Sequence, residues 1–157
     1  MAAAVSLLEA SGVQVRHVGQ GGEMKRLEPD DLIASDAVMT IGKTVQYALL
    51  SGTPVYCYDL FGGPGWITPD NLDNASWFNF SGRCCKRRLT ASQIVEELTA
   101  GYPGATRSAA ALERGRKDEF ILEPWIERFF TAAATPRSWS PFQATELGNC
   151  LLYTSDA

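Results

Sequence analysis

The chain has 157 residues, 45% of them hydrophobic and 20% charged, enough for one domain with a buried core. A net charge of −4 excludes a broad basic face for nucleic acid, and Lys86-Arg87-Arg88 reads as a solvated local cluster. No apolar run approaches the ~20 residues of a membrane helix; four cysteines and one histidine show neither CxxC nor metal spacing, so no metal and a reducing, cytoplasmic compartment are expected.

The opening "MAAAVSLLEASG" reads as an amphipathic helix over residues 2–11 closed by Gly12, not as a signal peptide. "VQVRHVG", 13–19, alternates apolar and polar residues and is expected to be a strand, followed by the loop "GQGGE". Pro29-Asp30-Asp31 resembles a helix start, with acids in the first turn. "AVMTI", 37–41, is expected to be a buried strand, "KTVQYALLSG", 43–52, a helix closed by Gly52, and "PVYCYD", 54–59, a second buried strand. "LFGGPGWITPDN", 60–71, is expected to be a loop, and 72–83 a short helix with a turn at Ser81-Gly82. "TASQIVEELTAGY", 90–102, predicts a Thr-capped helix ending at Gly101. Residues 108–130 predict a helix interrupted at Pro124 that buries Leu112, Phe120, Ile121, Trp125 and Phe129. Strands alternating with helices at short spacing predict an α/β fold, a Rossmann-like parallel sheet flanked by helices.

Gly42-Lys43-Thr44 is the tail of a phosphate loop, but the first glycine of G-x-x-x-x-G-K-[ST] would fall at Ala37, and the apolar "VMTI" between belongs to a strand. A nucleotide-hydrolase loop is therefore not expected. The physics of a helix start remains: unpaired N–H groups and the helix dipole favour an anion there. Gly42 permits close backbone approach, Thr44 offers a cap or a hydroxyl, and Lys43 a point charge. The plain alternative is an ordinary helix start with an exposed lysine. Gly62, Gly63 and Gly65 fit either a ligand loop or a simple turn, Asp59 either a hydroxyl ligand or a turn, and Trp66 either sugar stacking or core. His17, the single histidine, reads as structural or superficial.

The combined run "GKTVQY…GTPVYCYD…FGGPGW…NFSGR" resembles the C-terminal, nucleotide-sugar-binding half of bacterial glycosyltransferases of the GT-B type, which pair two Rossmann-like domains. The resemblance covers roughly residues 13 to 130. It implies a nucleotide diphosphate sugar as donor substrate, no cofactor, and a glycan or lipid-linked acceptor. Gly42, Lys43 and Thr44 would meet the donor diphosphate, with Gln46 and Tyr47 near ribose or phosphate. Gly19, Gln20, Gly21 and Gly22 would lie near the base. Asp59, Gly62, Gly63, Gly65 and Trp66 would approach the donor sugar or the interdomain cleft. Many retaining members carry paired glutamates on this segment; the corresponding positions here hold Met39 and Tyr47. Lys43 and Arg83 are the local candidates to offset diphosphate charge. No catalytic base is assigned, because such groups commonly come from the N-terminal acceptor domain, and a two-domain transferase needs about twice this length. The rival expectation is a non-catalytic α/β module that binds a nucleotide or a protein.

The expected organisation is a nucleotide-sugar-binding domain over 1–134, truncated at its N-terminus, and a tail over 135–149. The final "CLLYTSDA", 150–157, resembles the in-frame translation of a sequencing adaptor and is assigned no role.

Overall fold

The computed structural model describes residues 2–19 and 21–133, and the expected tail and final octapeptide lie outside the described residues. The chain divides into two units, Met1–Phe120 and Ile121–Ala157.

The first unit is mixed α/β, with a small three-stranded sheet between helices. Strands β1 (Val38–Thr40), β2 (Val55–Asp59) and β3 (Gly62–Trp66) lie in that spatial order. β1 and β2 are parallel, with Val38 opposite Val55 and Thr40 opposite Cys57. β2 and β3 are antiparallel, with Tyr56 opposite Trp66, and the register slips between Cys57 and Asp59. The sheet is therefore mixed rather than wholly parallel as expected, and residues 60–71 are not a continuous loop.

Helix α3 (Lys43–Leu50) crosses from β1 to β2. A short parallel crossover of this kind needs its helix to hide one stripe, and Val45, Ala48 and Leu49 are that stripe. The helix ends as its sequence dictates: Gly52 adopts φ +70° and Thr53 N–H bonds back to the Ala48 carbonyl at 3.0 Å.

β2 is buried on both faces, which explains its unbroken apolar run. Val55 and Cys57 face a cluster of Val45, Ala48, Leu49, Leu72, Ala75, Phe80 and Leu112. Tyr56 and Tyr58 face the opposite way, toward Ala4 and Ile94. Helix α4 (Leu72–Trp77) supplies Leu72 and Ala75 to the first cluster; helix α1 (Ala2–Ala10) supplies Ala4 to the second. Helix α2 (Pro29–Ile33) starts with proline in its first turn, and Asp31 Oδ2 accepts the Glu28 N–H at 3.0 Å.

Helix α5 (Ala91–Arg116) runs 26 residues, about 39 Å, and gives Ile94 to one cluster and Leu112 to the other. Thr90 caps it by accepting the Gln93 N–H. The expected stop at Gly101 is not observed: the helix continues through Gly101, Pro103 and Gly104. Gly101 is instead a point of close packing, where a Cβ would stand 2.6 Å from the Trp66 ring. A 3-10 turn over Lys117–Glu119 follows.

The expected strand over 13–19 reduces to one isolated bridge between Val18 and Glu23. Val13 is 42% exposed, so its alternation serves no buried face.

In the second unit, helix α6 (Leu122–Ala133) takes Pro124 within its first turn, where the missing N–H costs nothing. Trp125 and Phe129 are exposed rather than buried as expected.

Candidate functional site

The carboxyl end of β1 delivers the chain to Gly42, which precedes α3 with φ +65° and ψ −142°. Side-chain-bearing residues avoid this backbone conformation, so glycine is required there. Its N–H donates to the Phe80 carbonyl at 2.8 Å, and its own carbonyl accepts the Val45 N–H at 3.1 Å. The next amides, of Lys43 and Thr44, belong to the first turn, where a helix supplies no acceptor. A Cβ on Gly42 would meet nothing within 4 Å, so the space beside its Cα is open.

Lys43 is exposed, and its Nζ lies 6.0 Å from the centroid of the Tyr47 ring. Thr44 and Gln46 are half-buried, and Tyr47 is exposed. The structure thus brings Gly42, Lys43, Thr44, Gln46 and Tyr47 together on the first two turns of one helix.

The glycines after β2 behave differently. Gly62 and Gly63 are buried in β3. A Cβ on Gly62 would collide with the Arg87 carbonyl, and one on Gly63 with the Cys57 carbonyl. On Gly65 it would reach within 2.8 Å of the Arg87 guanidinium. These positions lack side chains because neighbouring protein fills the space. Asp59 Oδ1 accepts the Phe61 N–H at 2.6 Å and so shapes the turn between β2 and β3.

Trp66 is tied into the fold. Its Nε1 donates to the Glu97 carbonyl at 3.0 Å, and its ring meets Tyr56 edge-on at 5.4 Å. Tyr56 in turn donates to Glu97 Oε2 at 2.8 Å, and Arg87 pairs with the other oxygen of the same carboxylate. Burial alone would raise the Glu97 pKa, but the bonds from Arg87 and Tyr56 outweigh it and hold the carboxyl below its usual value. Burial, then the Glu97 bond, pushes the Tyr56 phenol up. An open depression of about 480 Å³ lies over this network, lined by Pro64, Trp66, Arg87, Glu97, Ala100 and Gly101.

The glycine loop after residue 18 closes on itself. Gly19 N–H donates to the Glu23 carbonyl at 3.0 Å, Glu23 N–H to the His17 carbonyl at 2.8 Å, and a Cβ on Gly22 would strike His17. Gly21 has φ +89°; Gln20 lies outside the described residues. Arg16 and Lys25, flanking the loop, both bond Asp31 of α2, at 2.8 and 2.6 Å.

One feature escaped the sequence reading. A cavity of about 400 Å³ is lined by Phe61, Arg83, Cys85, Lys86 and Arg88. The basic residues were visible as letters, but their convergence on Phe61 depends on the β2–β3 turn, which read as loop. Among the described residues, no group of three or more His, Cys, Asp or Glu side chains is arranged to hold a metal ion, and no helix is long and apolar enough to cross a membrane. Compared with known proteins, the chain matches no family model, no curated protein and no solved structure.

Proposed function

We propose that this chain is the donor-binding, Rossmann-like part of a glycosyltransferase that moves a sugar from a nucleotide diphosphate sugar to a glycan or lipid-linked acceptor in the cytoplasm. The diphosphate sits at the start of α3, against the Lys43 and Thr44 amides and the open Cα face of Gly42. The acceptor is held by a second domain.

The observation that carries the reading is the contrast among the glycines. Gly42 combines a glycine-only backbone conformation with open space at the strand-to-helix junction, whereas Gly62, Gly63 and Gly65 are pressed against protein. That junction lies outside the carboxyl end of a parallel strand, where open α/β sheets bind ligands. The run from Gly42 to Arg83 supplies the family resemblance. As the donor breaks, charge grows on the leaving diphosphate, and the helix-start amides, already fixed in direction, stabilise it without reorganising. Lys43 adds a mobile positive charge.

Calorimetry with uridine and guanosine diphosphates tests the reading. Wild type binds one of them, and Gly42→Val, checked for folding by circular dichroism, binds it at least about tenfold more weakly, a loss of about 1.4 kcal/mol. Equal affinity in both proteins removes α3 from the site.

A further inference from the structure

Arg83, Lys86 and Arg88 converge on one cavity without a carboxylate in its lining. The alternation of the run explains how. Arg87 turns toward the sheet, where its Nε donates to the Gly63 carbonyl at 3.3 Å and its guanidinium pairs with Glu97. Lys86 and Arg88, on either side of it, line the cavity with Arg83. The Arg83 guanidinium lies over the Phe61 ring, 4.7 Å from its centroid, a stacking that fixes its plane while leaving its edge N–H groups free to donate.

Arg83, Lys86 and Arg88 are set apart by lining one cavity together rather than by lacking partners, since Lys43 also forms no ion pair among the described residues. Arg16, Arg87 and Arg116 each pair with a carboxylate. Arg83, Lys86 and Arg88 form no ion pair among the described residues, in a chain whose net charge is −4. Three like charges around one cavity repel one another, and a bound anion relieves that repulsion. At about 400 Å³ the cavity falls in the range of small-molecule sites, roughly 300–1,000 Å³. Phe61 gives it one apolar wall. It opens beside the turn that follows Asp59, at the carboxyl end of β2.

We propose that this cleft binds the phosphate groups of a small phosphorylated molecule, with Arg83 and Arg88 as forked donors, Lys86 as a point charge, and the organic part against Phe61. The cleft shares no residue with the start of α3, so it is a separate site from the proposed donor site; Arg83, which the family resemblance sets against the donor diphosphate, is assigned here to this cleft.

The probe is inorganic pyrophosphate, titrated into the 157-residue chain at low salt. Binding is expected, weakening as salt rises, and the variant Arg83→Gln/Lys86→Gln/Arg88→Gln is expected to lose at least about tenfold in affinity. All three side chains are exposed, so the thermal midpoint of the variant stays close to wild type. The Cys85 thiol lines the same cavity and locates the ligand independently: pyrophosphate slows its alkylation, followed peptide by peptide in a mass spectrometer. The proposal is overturned by absence of pyrophosphate binding, by wild-type affinity in the triple variant, by unprotected Cys85, or by binding confined to oligonucleotides.

Discussion

The backbone amide of Gly42 donates to the carbonyl of Phe80 at 2.8 Å, joining the start of α3 to the segment that follows α4. Phe80 is anchored by burial, with 1% of the residue exposed, although its φ of +52° is a strained value for a bulky residue. The same carbonyl accepts the Cys57 thiol at 3.4 Å. One buried aromatic residue thereby sets the position of the candidate phosphate site, and it commits the Gly42 N–H to the protein, so that Lys43 and Thr44 supply the amides for a ligand.

Gly42→Ala isolates the backbone strain. Its Cβ meets no atom within 4 Å, so any cost comes from φ and ψ alone. Urea denaturation is expected to register a loss of about 1–3 kcal/mol. An unchanged midpoint would mean that α3 starts in a conformation open to any residue.

Two glycines in α5 are expected to respond in opposite directions. Gly104→Ala places a methyl group where the nearest atom is 3.9 Å away, and it gains about 0.5–1 kcal/mol of helix preference. Gly101→Ala drives a methyl group to 2.6 Å from the Trp66 ring and loses stability despite the same preference. Matched thermal melts distinguish the two, and a stabilising Gly101→Ala would contradict the packing of Trp66 on α5.

Tyr56→Phe retains the edge-on contact with Trp66 and removes only the hydroxyl that donates to Glu97 at 2.8 Å. Glu97 is partly exposed and regains water, so the expected cost is about 1 kcal/mol, below the roughly 1.5–3 kcal/mol of a bond to a charged group. A fully buried carboxylate would make the loss several times larger.

Acid sensitivity follows from Asp31. The hydrogen bond from Lys25 is the main cause that lowers its pKa to about 2, helped by the Glu28 backbone amide. A carboxyl group with a depressed folded pKa contributes stability that is complete above its unfolded value, about 3.9, and is lost as pH falls toward 2. Glu97, also held low, titrates with the same sign. Denaturation midpoints measured from pH 5 to pH 2 are expected to fall for wild type and to fall less steeply for Asp31→Asn.

How much of this was legible in the sequence depended on whether local pattern and tertiary packing agreed. β2 was legible because burial on both faces demands an unbroken apolar run, and "VYCYD" is one. α3 was legible from its apolar stripe and from Gly52. β3 was not, because Gly62, Gly63, Pro64 and Gly65 carry the signature of a loop; they form a strand because bare Cα positions let it press against Cys57 and Arg87. The continuation of α5 through Gly101 and Pro103 was hidden for a similar reason, since the Trp66 ring occupies the place of a side chain. At the site, the strand-to-helix position of Gly42 could be read directly. The cleft around Phe61 could not, because Arg83, Lys86 and Arg88 reach it only after Arg87 has turned toward Glu97.

The most direct measurement is a nitrogen–proton correlation spectrum of the labelled chain, recorded during titration with uridine or guanosine diphosphate. Saturable shifts centred on the Lys43 and Thr44 amides, with smaller ones at Gly42, are the expected result. Binding that leaves those amides unmoved, or no shift anywhere at millimolar diphosphate, would contradict the assignment of the start of α3 as the donor site.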